Sequence, residues 1–291
     1  MKIYQALLIL VTILLSSHLI ASEKGIDVIY GEDNRQDVFA AKDAHFIELS
    51  RSTAAMIKDS SLKSKSNEVT ISGRTLSERG ICASERFSNQ ITAASCSGFL
   101  VGENLLMTAG HCIKTVADCQ SYKWVFDYKV DNVNQGKITV PQTNVYSCKK
   151  IISRALETIS KDDYALIELD RKVTDRSPLN FRRSGKVSKG ASLVVIGHPT
   201  GLPTKISDDA KVRSLQTKFF VANLDTYGGN SGSAVINTET SEVEGILVRG
   251  ETDYIFDAAQ NCQVSNRCAE GACRGEDVTY ITNVPGLKKI R

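Results

Sequence analysis

Residues 96–112, which read CSGFLVGENLLMTAGHC, are the most informative segment of the sequence. Apolar runs on both sides of Gly102-Glu103-Asn104 predict a β-hairpin with a tight turn. Cys96 and Cys112 then lie at the open ends of the hairpin, where a disulfide can close it. That bridge would fix the backbone carrying His111. A single histidine in a sequence usually has no catalytic role, but one whose backbone is fixed in this way is a candidate catalytic residue.

The chain from about Cys82 onward has the texture of a β protein. Short apolar or β-branched runs alternate with Gly, Asn, Asp and Ser, which predicts an all-β barrel or sandwich. We expect strands at 95–101, 123–128, 164–169, 193–196, 219–224, 233–236, 243–248 and 278–282. Helices are expected at 151–159 and within 47–57, and residues 58–66 are expected to form an exposed linker.

The composition excludes several classes of protein. The 291 residues include 36 basic and 33 acidic side chains, for a net charge of +3. This balance argues against a nucleic-acid-binding protein, which normally carries a basic stripe. A hydrophobic fraction of 42% excludes a wholly disordered chain. The sequence carries no indication of the oligomeric state.

The amino terminus has the features of a secretory signal peptide. Lys2 precedes about a dozen mostly apolar residues, and small residues follow at Ala21 and Ser22. We expect residues 1–21 to be a signal peptide, with no stable membrane insertion after cleavage, because the run is shorter than a bilayer span. The protein is therefore expected to be secreted or periplasmic. Residues 22–80 are expected to be a polar leader or propeptide.

Export determines how the eight cysteines are interpreted, because an oxidising compartment favours disulfides. A metal–thiolate cluster of Cys262, Cys268 and Cys273 is disfavoured by its spacing, and no metal is expected. Beyond Cys96–Cys112, we expect Cys119 to pair with Cys148. The remaining pairings, including that of Cys82, stay open.

Two further motifs carry groups that are useful in catalysis. Asp162-Asp163 precedes the apolar run YALIEL, although paired aspartates are often only solvated turn residues. The segment 225–235, DTYGGNSGSAV, surrounds Ser231 with three glycines. Glycines permit unusual backbone angles and let inward-facing amides form an oxyanion hole. A plain glycine-rich turn would have the same composition.

The three motifs together, in this order, resemble the trypsin/chymotrypsin-like serine peptidases, and most closely the bacterial branch related to V8 glutamyl endopeptidases. The resemblance implies His111 as general base, Asp163 as its orienting partner and Ser231 as nucleophile. It further implies an oxyanion hole of Gly229 and Ser231, polypeptide substrates and no cofactor. The implied fold is two six-stranded antiparallel β-barrels of the chymotrypsin type, at 81–180 and 181–291, with the active site between them.

Asn230 departs from the animal trypsins, which have an aspartate before the nucleophile. An activation switch based on a salt bridge at that position is therefore not expected. Residues 28–35 resemble the mature start of the V8-like branch, which implies a very short propeptide. The alternative is a longer propeptide cut nearer Ile81, since about 80 residues separate Val28 from His111.

Three residues are candidates for substrate binding. Asp225 lies six residues before Ser231, where trypsins bind basic side chains, whereas Arg249 would attract acidic ones. His198 follows a buried strand and is interpreted as a loop residue near the cleft. Basic, acidic and small or hydrophobic preferences all stay open. The alternatives to a peptidase are a catalytically silent homologue that binds partners and a cysteine-rich metal-binding module.

Overall fold

The computed structural model describes residues 29–133, 135–269, 272–287 and 290. The expected signal peptide at 1–21 lies outside these residues. Among the helices of the described residues, none has the length and apolarity needed to cross a membrane.

Strands make up most of the regular structure. Two α-helices, α1 (Ala44–Ser50) and α2 (Val116–Ser121), are accompanied by short 3₁₀ turns at Val38–Ala40, Asp59–Ser61, Ser77–Arg79, Gln142–Asn144, Pro199–Gly201 and Ile281–Asn283. The strands are β1 (Ile29–Tyr30), β2 (Arg35–Asp37), β3 (Thr53–Lys58), β4 (Leu62–Lys65), β5 (Glu68–Ile71), β6 (Arg74–Thr75), β7 (Ile91–Thr92), β8 (Ala94–Gly102), β9 (Leu105–Thr108), β10 (Tyr122–Phe126), β11 (Ile138–Pro141), β12 (Val145–Leu156), β13 (Asp163–Leu169), β14 (Ser192–Gly197), β15 (Lys205–Leu215), β16 (Phe219–Ala222), β17 (Ala234–Asn237), β18 (Val243–Arg249), β19 (Tyr254–Asp257), β20 (Cys262–Ser265), β21 (Arg267–Cys268) and β22 (Glu276–Tyr280).

The first barrel is a closed ring of six strands in the order β10-β12-β13-β9-β8-β3. The predicted hairpin forms its β8–β9 pair, with Phe99 opposite Met107. Alternating residues point inward, which is the pattern required to fill a small barrel. Trp124 lies fully buried in this core.

The second barrel follows the same plan. Strands β14, β17, β18, β22, β16 and β15 pair in that order, and the further pairing of β14 with β15 closes the ring. Strand β2 is added to the outside of β15. The expectation of an all-β fold with two six-stranded antiparallel barrels is therefore confirmed.

The expectation of a polar leader at 22–80 is wrong for the described part of that segment, residues 29–80, which belongs to the folded domain. Strand β3 pairs with β8 on one side and with β10 on the other, so it is needed to close the first barrel. The supposed linker at 58–66 is also ordered, because β4 pairs with β5. The polar composition of this segment suggested a linker because the residues of β4 are largely exposed.

Both helix predictions also need correction. Residues 47–57 are divided between α1, which Asp43 caps by accepting the His45 and Phe46 amides, and strand β3. Residues 151–156 belong to the long strand β12, which pairs along β13. The adjacent β-branched residues Ile151 and Ile152 favour an extended backbone, and sheet pairing prevails over the local helix signal.

All eight cysteines form disulfides, as expected for a chain that enters an oxidising compartment. Cys96 pairs with Cys112 and Cys119 with Cys148, both in the first barrel. The pairings that the sequence left open are Cys82–Cys262 and Cys268–Cys273. Since Cys82–Cys262 links residues 180 positions apart, it ties the first half of the chain to the β19–β20 hairpin.

Strand β3 provides a test of the corrected boundary. Met56 is 2% exposed and lies between Trp124 and Cys96 of the neighbouring strands. We expect Met56→Ala to lower the free energy of unfolding by about 2–5 kcal/mol, as for other large-to-small core changes. Lys58→Ala, on the exposed end of the same strand, should change it by no more than about 0.5 kcal/mol. Urea unfolding measures both free energies. If both substitutions lowered stability by the same small amount, β3 would not belong to the core, and the segment would again be interpreted as a leader.

Candidate active site

A cleft of about 400 Å³ lies where the two barrels meet. Side chains or backbone of both barrels form its walls: His111, Leu156, Glu157, Thr158, Lys161, Asp163, Gly228, Ser231, Val248, Arg249 and Gly250. The three residues that the sequence singles out for chemistry are therefore brought together in one place.

His111 follows β9 through a turn that only glycine permits. A Cβ on Gly110 would lie 1.9 Å from the Ala155 carbonyl oxygen, so the chain passes directly against β12. Arg154 Nε donates to the Gly110 carbonyl at 2.8 Å, and the Cys96–Cys112 disulfide fixes the residue after His111. The histidine backbone is thus held on both sides.

Asp163 accepts two hydrogen bonds from His111. Its Oδ1 lies 3.1 Å from the histidine backbone nitrogen, and its Oδ2 lies 2.8 Å from Nδ1. The carboxylate is 2% exposed, so solvent does not compete for these bonds. An imidazole held through Nδ1–H presents Nε2 to the cleft as a proton acceptor.

The neighbouring aspartate has a different role. Asp162 directs its carboxylate to the second barrel, where Asn283 Nδ2 donates to Oδ1 at 2.8 Å and Lys218 Nζ pairs with Oδ2 at 2.9 Å. Successive residues of an extended chain point in opposite directions. Asp163 therefore binds His111, whereas Asp162 connects the first barrel to the second.

Ser231 lies in a loop that depends on glycine at two points. Gly229 and Gly232 have φ values of +102° and +90°, which other residues rarely adopt. A Cβ on Gly232 would lie 2.1 Å from the Ser97 carbonyl oxygen, and one on Gly229 would lie 2.5 Å from the His198 carbonyl oxygen. The loop therefore packs directly against backbone of both barrels.

Two amides of this loop are available to a ligand. Within the residues that the structure describes, the N–H groups of Gly229 and Ser231 donate to no protein acceptor. Among the same described residues, Ser231 Oγ makes no hydrogen bond to the His111 ring. Catalytic hydrogen bonds are often long before substrate binds. Asn230 turns inward, and its Oδ1 accepts from Ser233 Oγ at 3.2 Å.

A family model described as a trypsin-like peptidase domain matches residues 96–246, which is more than half of the chain. The chain belongs to the trypsin-like peptidase family. The matched range contains His111, Asp163 and Ser231.

One relative matches about half of this trypsin-like chain. An "Extracellular metalloprotease" of Bacillus subtilis (strain 168) is 32% identical over 162 residues, covering 52% of this chain and 48% of the relative. The chain thus spans about half the length of that relative.

Two solved structures are similar in shape. A Glu endopeptidase in complex with MPD gives a TM-score of 0.49 at 14% identity, covering 87% of this chain and 94% of that one. The Vibrio cholerae VesB protease gives 0.50 at 16% identity, covering 86% and 64%. At this identity the VesB likeness concerns the fold alone.

Asp225 does not face the cleft of this trypsin-like domain, which contradicts its interpretation as a substrate-binding residue. It is 5% exposed, and its two oxygens accept the backbone N–H groups of Tyr30, at 2.8 Å, and Asn34, at 3.0 Å. Burial raises the pKa of this carboxyl to about 6, although the two amides oppose the shift. Asp225 therefore anchors the N-terminal strap, which we define as residues 29–37.

The strap is further held by Arg35, which is fully buried. Its guanidinium pairs with Asp33 at 2.7 Å and lies 4.3 Å from the centre of the Tyr227 ring. Tyr227 directly precedes the glycines of the Ser231 loop. The first described residues thus support the loop that carries the candidate nucleophile.

His198 is not among the residues that line the cleft, contrary to its assignment as a substrate-binding residue. The ring is fully buried, stacks on Tyr128 and has Nδ1 at 3.1 Å from the Leu202 carbonyl oxygen. Burial lowers its pKa to about 3, so the ring stays neutral at physiological pH. Its role is to support the loop beneath Gly229.

Arg249 does line the cleft, as the sequence suggested, but its guanidinium is directed at the protein. Nε lies 3.2 Å from Asp277 Oδ2, and Nη1 lies 3.7 Å from Asp163 Oδ2.

Ser97 was not predicted to support the site, although it lies within the hairpin at 96–112. Ser97 Oγ donates to the Gly229 carbonyl at 2.9 Å and accepts the His198 amide at 3.0 Å. Its backbone N–H donates to the Ser231 carbonyl at 2.8 Å. A small hydroxyl residue next to Cys96 was the available signal.

The buried position of Asp225 predicts an unusual pH dependence. Folding raises its pKa from 3.8 to about 6, so its contribution to stability is present below about pH 4 and is lost as the pH rises through about 6. Between pH 4 and 7 this group should cost the wild type about 2–3 kcal/mol of unfolding free energy. Asp225→Asn lacks this loss, so its stability relative to wild type should rise over that range in urea unfolding. Asp59→Asn, at an exposed position, serves as the control. If the difference in unfolding free energy between Asp225→Asn and the wild type did not change with pH, the Asp225 carboxylate would be exposed to solvent and the prediction would be wrong.

Proposed function

We propose that the protein is a secreted serine endopeptidase that hydrolyses peptide bonds through Ser231, His111 and Asp163. The observation that carries the proposal is the buried Asp163 carboxylate, which holds both the backbone and the ring of His111 in the cleft that contains Ser231. Family membership supports the same class of reaction.

In the acylation step, Ser231 Oγ attacks the carbonyl carbon of the scissile bond while His111 Nε2 takes the hydroxyl proton. The carbonyl oxygen becomes an oxyanion, and the free amides of Gly229 and Ser231 are its donors. Removing one such donor typically costs about 10²–10³ in turnover. His111 then gives the proton to the leaving amine, and an acyl-enzyme remains.

Deacylation repeats the steps with water as the nucleophile. His111 takes a proton from water, the hydroxide adds to the ester carbonyl, and Ser231 leaves with that proton. Asp163 stabilises the imidazolium in both half-reactions. The side chains needed for these proton transfers all belong to the chain itself.

The substrate preference is decided by the cleft wall and not by Asp225. The carboxylate that would have selected basic side chains is occupied by the strap. Apart from the proposed triad, the charged wall residues are Glu157, Lys161 and Arg249, beside the apolar Leu156 and Val248. A basic preference like that of the trypsins therefore has no support from Asp225.

Secretion is supported by the complete pairing of the cysteines, since such disulfides persist in oxidising compartments. We infer that any propeptide ends before Ile29. A cut near Ile81 would remove β3 from the first barrel, together with the strap that Asp225 binds. Processing ahead of Ile29 would leave both intact.

A fluorophosphonate probe tests the proposed function. We expect the processed protein to be labelled at Ser231, because only a serine activated by a general base reacts rapidly with this reagent. Ser231→Ala should abolish labelling, and His111→Ala should slow it by at least about 10³-fold. Ser184→Ala, which changes an exposed serine, should leave labelling unchanged.

Labelling is measured by mass spectrometry of tryptic peptides after sequencing of the amino terminus. Folded, correctly processed protein that resists the probe would instead identify a catalytically silent homologue. Labelling that persists in Ser231→Ala would assign the nucleophile to another residue.

A further inference from the structure

Arg249 lies at the end of β18 in the second barrel, yet its side chain reaches the first barrel. Arg249 forms part of the cleft wall, yet only 24% of its side chain is exposed. Each of the three guanidinium nitrogens lies close to an oxygen of the protein, so the side chain is committed to internal contacts.

The first contact concerns the carboxylate that holds His111. Nη1 lies 3.7 Å from Asp163 Oδ2, the same oxygen that lies 2.8 Å from His111 Nδ1. At 3.7 Å the interaction is an ion pair beyond hydrogen-bond range. It places a positive charge beside a buried carboxylate, and the attraction between the two charges holds the carboxylate in its orientation.

The second contact fixes the turn that leads to Asp163. Nη2 donates to the Lys161 carbonyl at 3.1 Å. Lys161 has a φ of +64°, a left-handed conformation that is costly for a residue with a side chain. Arg249 therefore stabilises the backbone two residues before the carboxylate.

The third contact anchors the guanidinium itself. Nε lies 3.2 Å from Asp277 Oδ2 on β22, and Asp277 is also paired with Arg274. The planar fork of arginine can hold several acceptors in fixed geometry, which a lysine ammonium cannot. Arg249 is thus held by the second barrel while it orients a turn of the first.

We propose that Arg249 is a positioning residue that sets the orientation of Asp163, and through it that of His111, across the junction between the barrels. The inference rests on the proposed function. It differs from a role in binding acidic substrate side chains, because all three nitrogens are directed at oxygens of the protein.

The test uses a small fluorophosphonate without a peptide side chain, so that substrate recognition does not contribute. We expect Arg249→Met to lower the second-order labelling rate of Ser231 by at least about tenfold, since small misplacements of catalytic groups have such effects. Arg249→Lys should recover part of the rate, because it keeps the charge without the fork. With peptide substrates, kcat should fall more than KM rises.

Arg182→Met is the matched control. Arg182 is also 24% exposed and belongs to the second barrel, but it pairs with Glu244, to whose Oε1 its Nη2 donates at 2.8 Å. We expect this variant to be labelled at the wild-type rate. Thermal unfolding of each variant confirms that it is folded, and if Arg249→Met unfolds, the Arg249→Lys rate decides: a wild-type rate would overturn the proposal.

A second readout does not depend on activity. The proton on His111 Nδ1 gives a downfield resonance in proton NMR while it is bonded to Asp163, and Arg249→Met should shift or broaden it. Labelling at the wild-type rate with an unchanged resonance would overturn the positioning role, even if KM for acidic peptides rose. If the wild type itself resists the probe, the proposed function fails, and the resonance alone then decides the role of Arg249.

Discussion

The structure depends on the close approach of the two barrels at Ser97. This fully buried residue donates its N–H to the Ser231 carbonyl, and its own carbonyl accepts from Thr108 Oγ1 at 2.7 Å. Its hydroxyl links Gly229 to His198. Every polar group of Ser97 is therefore satisfied, which matters because an unpaired buried group costs about 1–3 kcal/mol. Gly232 is required because any Cβ there would collide with Ser97.

The groups of the site are distributed around this junction. The first barrel supplies His111 and Asp163, and the second supplies Ser231, so neither barrel holds the proposed triad alone. The side chains of Asp162 and Arg249 cross between the barrels. Asp162 of the first barrel binds Lys218 and Asn283 of the second. Arg249 of the second barrel is directed at Asp163 of the first. On the far side of the Ser231 loop, Asp225 and Tyr227 hold the N-terminal strap. The proposed catalysis and the fold therefore depend on the same contacts.

The sequence predicts the family and the fold well because both depend on local patterns. The hairpin at 96–112, the run after Asp163 and the glycines around Ser231 each act within a few residues. Strand β3 was missed because TAAMIK contains good helix formers, and only pairing with β8 and β10 makes it extended. Asp225 was misassigned because its spacing from Ser231 says nothing of Tyr30, which lies 195 residues away in sequence. Long-range contacts of this kind have no local signature.

In the proposed function, Ser231 is the nucleophile at the junction of the barrels, and the amides of Gly229 and Ser231 are the oxyanion donors. A crystal structure of the phosphonylated protein would test both assignments, because the adduct resembles the tetrahedral intermediate. We expect phosphorus bonded to Ser231 Oγ, with one phosphonyl oxygen about 2.7–3.1 Å from both amide nitrogens. Phosphorus on another residue, or a phosphonyl oxygen turned away from both amides, would contradict these assignments.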